Sequence, residues 1–236
     1  EVKNFALKAN LNILQPEKIK NNEAFLSELR KINPDFIFVA AYGKILTNDI
    51  LNIPKFGCIN VHSSLLPKYR GAAPINWSII NGDKETGVTI MKMDEGMDTG
   101  NIILSKKIAI AESDNVTSLT EKLASCGCDA IGEFVQKFLK TRSIDSKPQD
   151  NSLASIAPKI DKEKCKIDWS GKSFDILNLI RGSNPWPGAT TTLFKNKITI
   201  FKIILRTIKV ISISTKKPKL QPIFQINQFT RGGGAC

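Results

Sequence analysis

The sequence predicts an α/β fold: a parallel or mixed sheet layered with helices, followed by a smaller β-rich part. Apolar runs at residues 35–41 and 58–62 are unbroken by polar alternation, the pattern of strands covered on both faces. Segments of helical period lie between and after them. The charge balance then changes, because residues 1–150 hold 19 basic and 18 acidic side chains whereas residues 151–236 hold 15 and 4. A chain of 236 residues forms one large domain or two ordinary ones. No apolar run approaches the roughly 18 residues that span a bilayer. The opening Glu1-Val-Lys-Asn has neither the basic start nor the apolar core of a signal peptide.

The elements follow in order. Phe25, Leu26, Leu29 and Ile32 recur at helical spacing, and Asn33-Pro34 stops that helix. Residues 35–41 read as a fully buried strand and residues 46–53 as a short helix. Residues 58–62 form the next buried strand, which sends Asn60 and His62 to the same side. Residues 86–93 and 101–110 are strand-like and joined hairpin-fashion through a turn-rich stretch carrying Asp98. A longer amphipathic helix follows with Leu119, Leu123, Cys126, Phe134 and Phe138 on one stripe, and Ser118-Leu-Thr-Glu121 as its expected capping box. The polar, Pro-containing residues 141–158 read as a linker. Residues 173–181 are helical, Asn184-Pro-Trp-Pro-Gly188 is a rigid turn, and the β-rich residues 193–201 and 208–214 point to a small barrel.

The five cysteines are odd in number and scattered, which fits reduced thiols. Cys126-Gly-Cys128 has no second Cys or His pair nearby, so no zinc site is expected. After Asp175 there is no carboxylate side chain, and Lys195, Lys197, Lys202, Arg206, Lys209, Lys216, Lys217, Lys219 and Arg231 go unanswered. Such one-sidedness favours a polyanion such as nucleic acid as partner, the alternative being a solvated basic face.

Chemistry concentrates between Asn60 and Gly100. The only histidine, His62, lies in Asn60-Val-His62-Ser-Ser64-Leu-Leu-Pro67, and Asp98 in Gly96-Met-Asp98-Thr-Gly100. Taken alone, a histidine in an apolar strand is a core residue, and an Asp between glycines makes an Asx turn. Together, an amide, an imidazole and a carboxylate suit acyl transfer. That reaction must stabilise an oxyanion, take a proton from the attacking amine and protonate the leaving nitrogen. Neither a Gly-x-Ser-x-Gly elbow nor a phosphate-cradling glycine loop competes with this reading.

The stretch from Gly57 through Asn60-Val-His62-Ser-Ser-Leu-Leu-Pro-Lys-Tyr-Arg70-Gly-Ala-Ala-Pro74 to Trp77 closely resembles the signature of the methionyl-tRNA formyltransferases, within the folate-dependent formyltransferases. The resemblance continues through Thr86-Gly-Val-Thr to Met93-Asp-Glu-Gly-Met-Asp98. It includes Val39-Ala-Ala-Tyr-Gly43, Ile167-Asp-Trp169 and Asn184-Pro-Trp-Pro-Gly188, and loosens after residue 190. It implies a Rossmann-like domain joined to a small OB-like barrel with a tRNA-binding surface. The division expected is a catalytic domain at 1–140, a linker at 141–158 and a basic tRNA-binding domain at 159–236.

The resemblance further implies formyl transfer from 10-formyltetrahydrofolate, without a metal, to the amino group of methionyl initiator tRNA, in support of translation initiation. Catalysis would fall to Asn60, which stabilises the oxyanion, His62, which stabilises it or moves the proton, and Asp98, which orients His62 and shares in proton transfer. Folate contact falls to Ser64, Leu65, Leu66 and Pro67. A monomer without a membrane partner is expected, in the cytoplasm or the matrix or stroma of a bacterial-derived organelle. The alternatives are another 10-formyltetrahydrofolate-dependent transferase or hydrolase, and a non-catalytic tRNA-binding remnant. Arg70-Gly-Ala-Ala-Pro74 with the basic second part favours the tRNA enzyme over the glycinamide ribonucleotide and nucleotide-sugar enzymes. Against the family pattern, an opening βαβ unit is absent before Glu1 and the closing barrel strands do not follow Cys236. Leu220-Gln-Pro222 precedes the Gly232-Gly-Gly234 turn and is not equated with the family's ending, so the chain reads as a fragment.

Overall fold

A computed structural model describes residues 2–203, 205–206 and 223–224 of the chain. In order these form α1 (Val2–Lys8), α2 (Glu23–Ile32), β1 (Ile37–Val39), α3 (Asn48–Leu51), β2 (Cys58–His62), α4 (Pro74–Ile80), β3 (Glu85–Lys92), β4 (Ile102–Ala109) and α5 (Val116–Thr141). There follow α6 (Ser173–Gly182), β5 (Ala189–Leu193), β6 (Asn196–Ile200), β7 (Leu205–Arg206) and β8 (Ile223–Phe224).

Strands β1 to β4 make one mixed sheet in sequence order. β1 and β2 are parallel, while β2–β3 and β3–β4 are antiparallel, with an irregularity at Ile90/Met91. The mixed sheet and the hairpin follow the sequence expectation. β1 departs from it, being three residues long and only half-buried, with Phe38 exposed. The reason is its position. Ile37 packs toward Leu26 and Ile50 on one face, and Phe36 and Phe38 meet Phe134 on the other. Both faces are therefore layered, as the apolar run requires. β1 is nevertheless the sheet's edge, and no described residue pairs with its outer side.

α5 covers the sheet. Its stripe of Leu119, Leu123, Cys126, Ala130 and Phe134 joins Ile59, Val88 and Ile90 in the main core. The N-cap lies three residues before the expected one, Ser118. Asn115 is the N-cap: its side chain accepts from the Ser118 amide, and the Ser118 hydroxyl accepts from the Asn115 amide. Asn-x-x-Ser performs the reciprocal capping expected of Ser-x-x-Glu.

Residues 142–158 hold one 3-10 turn, Asn151–Leu153, yet are not a loose tether. Ile102 and Lys147 pair backbone to backbone, and Arg70 bridges Ile156 in parallel fashion. Tyr69 N donates to Ser155 Oγ at 2.9 Å, and Trp77 Nε1 donates to the Pro158 carbonyl at 2.8 Å. The segment straps the β2–α4 connection.

Beyond it, Ile167, Ile176, Ile180, Ala189 and Ile200 form a second core. α6 packs on α4, where Asn76 Nδ2 donates to the Gly182 carbonyl at 2.9 Å. Residues 184–188 make the expected turn, with cis Asn184-Pro185 and Trp186-Pro187. β5 and β6 form a hairpin and β7 pairs with β8. Among the described residues these two pairs are what is seen of the expected barrel. Residues 208–214, Leu220-Gln-Pro222, Gly232-Gly-Gly234 and the basic residues Lys209, Lys216, Lys217, Lys219 and Arg231 lie outside the described residues.

Among the described residues Cys58, Cys126, Cys128 and Cys165 are free thiols, and only Cys128 is exposed. Burial pushes the Cys58 thiol up to about 11. Ellman titration of native protein is therefore expected to show Cys128 reacting fast, and Cys58, Cys126 and Cys165 reacting only after unfolding. Between pH 9 and 11 the unfolded chain ionises Cys58 before the folded one does. This thiol should lower stability across that window by up to about 3 kcal/mol, and Cys58→Ala should remove that part of the fall.

Candidate active site

β2 delivers Asn60 and His62 from alternate positions of one strand, opposite Met91 and Thr89 of β3. After His62 the chain turns sharply, and Thr89 holds the turn. Its hydroxyl donates to the Ser64 carbonyl at 2.7 Å and accepts from the Leu66 amide at 3.1 Å. Ser64 is fully buried and its own hydroxyl donates to the Lys68 carbonyl. Leu66 is buried as well, whereas Leu65 and Pro67 are half-buried. Of the four expected folate-loop residues, Leu65 and Pro67 thus present surface, and Ser64 and Leu66 hold the loop's shape. Leu65 also lines a cavity of about 210 Å³ with Lys68, Tyr69, Asp83, Lys84, Glu85 and Thr86.

The imidazole of His62 is 6% exposed and faces an acceptor at each nitrogen. Nε2 lies 2.9 Å from the Tyr69 carbonyl, and Nδ1 lies 3.6 Å from Asp98 Oδ2. Tyr69 is itself fastened on both sides of its ring oxygen, donating to Asp83 Oδ2 at 2.8 Å and accepting from Asn81 Nδ2 at 3.1 Å. Burial of the phenol, with Asp83 beside it, pushes its pKa up to about 12, so this anchor stays neutral at ordinary pH.

Asp98 comes from the loop between β3 and β4 and sits at φ +55°, a left-handed conformation that Asp adopts more readily than most residues. Oδ2 accepts from the Gly71 amide at 2.8 Å, and Oδ1 lies 3.5 Å from Asn60 Nδ2. Gly71 has φ +117°, and a Cβ there would stand 2.9 Å from the Ala157 carbonyl oxygen, so the close approach requires glycine. The Asx turn expected of an Asp in this Gly-rich stretch is made by Asp94, whose Oδ1 accepts from the Gly96 amide and the Thr99 hydroxyl. The Asp98 carboxylate is left to face Asn60 and His62. The structure therefore brings Asn60, His62 and Asp98 together, with the amide and imidazole on either side of one carboxylate.

Sequence reasoning missed two groups. The Tyr69 carbonyl and the Gly71 amide are backbone atoms, which no side-chain pattern announces. Gln149, held by the buried Arg70, also reaches the Asp98 loop: its Nε2 donates to the carbonyls of Asp98 and Gly100, and its Oε1 accepts from Arg70. Among the described residues no group of three or more His, Cys, Asp or Glu is placed to hold a metal ion.

An amide, an imidazole and a carboxylate gathered at one end of a sheet can serve an acyl transfer. Residues 3–135 match the formyl transferase family model, and residues 159–217 match that family's C-terminal domain; the chain belongs to the formyl transferase family. Within it, the chain is similar to the methionyl-tRNA formyltransferase of Clostridium tetani, 42% identical over 98% of this chain and 72% of the relative. It is 51% identical to the methionyl-tRNA formyltransferase of Caldanaerobacter subterraneus over 85% of this chain. It spans 65% of the length of that relative. Among solved structures, the sugar 3N-formyl transferase WlaRD, determined in the presence of dTDP and 5-N-formyl-THF, superposes with a TM-score of 0.67 at 26% identity, covering 87% of this chain and 70% of that one. HypX from Aquifex aeolicus in complex with tetrahydrofolic acid shares the fold with a TM-score of 0.66 at 18% identity, covering 78% of this chain and 31% of that one.

Proposed function

We propose that this site transfers a formyl group from 10-formyltetrahydrofolate to the amino group of methionyl initiator tRNA, with Asn60, His62 and Asp98 as its catalytic groups. The observation that carries the reading is the Asp98 carboxylate placed between Asn60 and His62 while Asp94 makes the turn. The neutral amine attacks the formyl carbon, a C–N bond forms, and the carbonyl oxygen becomes an oxyanion. Asn60 Nδ2 donates to that oxygen. The Tyr69 carbonyl engages His62 Nε2 and leaves Nδ1 on the Asp98 side, where imidazole and carboxylate relay the proton released by the attacking nitrogen. The bond to N10 of the folate then breaks, and N10 takes that proton. Leu65 and Pro67, beside the buried Ser64 and Leu66, border the donor.

The acceptor is chosen by similarity and charge. The relatives named above are methionyl-tRNA formyltransferases. Lys195, Lys197 and Lys202 are exposed and have no acidic partner among the described residues, as a phosphate-binding surface needs. We further read residues 1–140 as the catalytic domain, 141–158 as the connection and 159–236 as the tRNA-binding domain of a cytoplasmic monomer. No described helix is long and apolar enough to cross a membrane.

The test is acceptor choice, using protein expressed from its complete open reading frame. Given 10-formyltetrahydrofolate, it is expected to formylate methionyl initiator tRNA and to lose kcat/KM steeply as salt rises, the mark of phosphate contacts. Transfer to a nucleotide-linked amino sugar and none to the charged tRNA would overturn the reading.

A further inference from the structure

Asp98 holds a left-handed backbone conformation in a loop whose turn is organised by a different residue, Asp94. Such a conformation costs free energy and persists only where its surroundings determine it. Besides the Gly71 amide on its carboxylate, its backbone is held by one side chain from a segment 51 residues away. Gln149 Nε2 donates to the Asp98 carbonyl at 2.8 Å and to the Gly100 carbonyl at 2.7 Å. Gln149 Oε1 accepts from Arg70 Nε at 3.0 Å and from Nη2 at 2.7 Å. Both donors and the acceptor of one amide are thereby used. The orientation of that amide is fixed by its neighbours, since a guanidinium only donates and a carbonyl only accepts.

Arg70 is 7% exposed and no carboxylate faces it among the described residues. Its Nη2 also donates to Asn151 Oδ1 at 2.8 Å. Its backbone pairs with the same strap, through Arg70 N to the Ser155 carbonyl and Ala157 N to the Arg70 carbonyl. The residue after it, Gly71, supplies the amide that binds the Asp98 carboxylate at 2.8 Å. Arg70 and Gln149 therefore join the two backbone stretches that meet at the carboxylate: one carries its hydrogen-bond donor, the other the carboxylate itself.

We infer that Gln149, held by Arg70, is a positioning residue for Asp98, setting the distance of its carboxylate from His62 and Asn60. The inference rests on the formyl-transfer reading and adds to it a residue outside the Asn60–Asp98 stretch. Gln149 touches neither reacting atom. Its removal should cost turnover and leave both substrates bound, because a displacement of about 1 Å at a reacting group costs about 100-fold in rate.

The experiment compares Gln149→Leu and the isosteric Gln149→Glu with the parent protein. It measures kcat and KM for the charged tRNA at saturating 10-formyltetrahydrofolate, together with the affinity and stoichiometry of binding of 5-formyltetrahydrofolate. Expected is a fall in kcat of about 10- to 100-fold in both variants, with KM and folate affinity within about twofold of the parent and one folate bound per chain. The glutamate variant falls because its carboxylate oxygen replaces an N–H donor against two carbonyl oxygens, although it keeps the pairing with Arg70. A role in folding alone would lower the folate stoichiometry together with kcat and would overturn the inference. So would parental kcat in either folded variant, or a rise in KM at unchanged kcat. Absence of turnover by the parent protein overturns the formyl-transfer reading itself, and this inference with it.

Discussion

Asp98→Asn is expected to lower kcat by about 1,000-fold while leaving the melting temperature close to that of the parent protein. The substitution keeps shape and volume, and its amide oxygen still accepts the 2.8 Å hydrogen bond from the Gly71 amide. What it removes is the charge opposite His62 Nδ1 and the second acceptor opposite Asn60 Nδ2. With its oxygen kept on the Gly71 amide, the new NH2 faces the Asn60 donor, and no carboxylate remains to share with His62 the proton leaving the attacking amine. Because the loss falls on the chemical step, KM for the charged tRNA should stay within a few-fold. Steady-state kinetics and a thermal melt on the same preparation check both parts. A loss of less than tenfold would place the proton path elsewhere.

Phe134→Ala is expected to cost about 3–5 kcal/mol of folding free energy, the range for truncating a buried aromatic. Phe134 is 3% exposed and meets Phe36 edge-on at 5.4 Å and Phe38 at 6.0 Å, with Phe138 stacked at 6.4 Å. Phe138 in turn meets Phe36 and Phe56 at 4.7 Å each. These five rings bind α5 to β1, the edge strand, and to the approach to β2. The cluster has a bearing on the site because Val39 of β1 is paired with Asn60 of β2. With the rings truncated, the strand beside Asn60 loses its helix layer. Urea unfolding reads the change, and a midpoint shift equivalent to less than 1 kcal/mol would show that the cluster repacks without cost.

Much of the site was legible in the sequence because it depends on the two-residue period of a strand. Asn60 and His62 had to share a side of β2, and Asp98 had to lie on a turn. Which aspartate makes the turn was not legible, since Asp94 and Asp98 both sit among glycines and only the hydrogen bonds of Asp94 decide it. The same ambiguity displaced the cap of α5 from Ser118 to Asn115, two residues of similar capping strength in the same turn. β1 was overestimated because an apolar run reports covered faces and not a paired edge. Gln149 was invisible for another reason. A polar stretch containing Pro148 has the composition of a linker whether or not its side chains are tied down, and here they are tied to backbone carbonyls that any sequence presents.

The central claim is that Asn60, His62 and Asp98 act as one formyl-transfer unit, and a double-substitution cycle on His62 and Asp98 tests it most directly. With single-turnover formylation of methionyl initiator tRNA as the readout, His62→Ala and Asp98→Ala should each lose at least about 100-fold, and the double variant should be no slower than the worse single one. Losses that multiply in the double variant would contradict the account, because they would mean that histidine and carboxylate act independently.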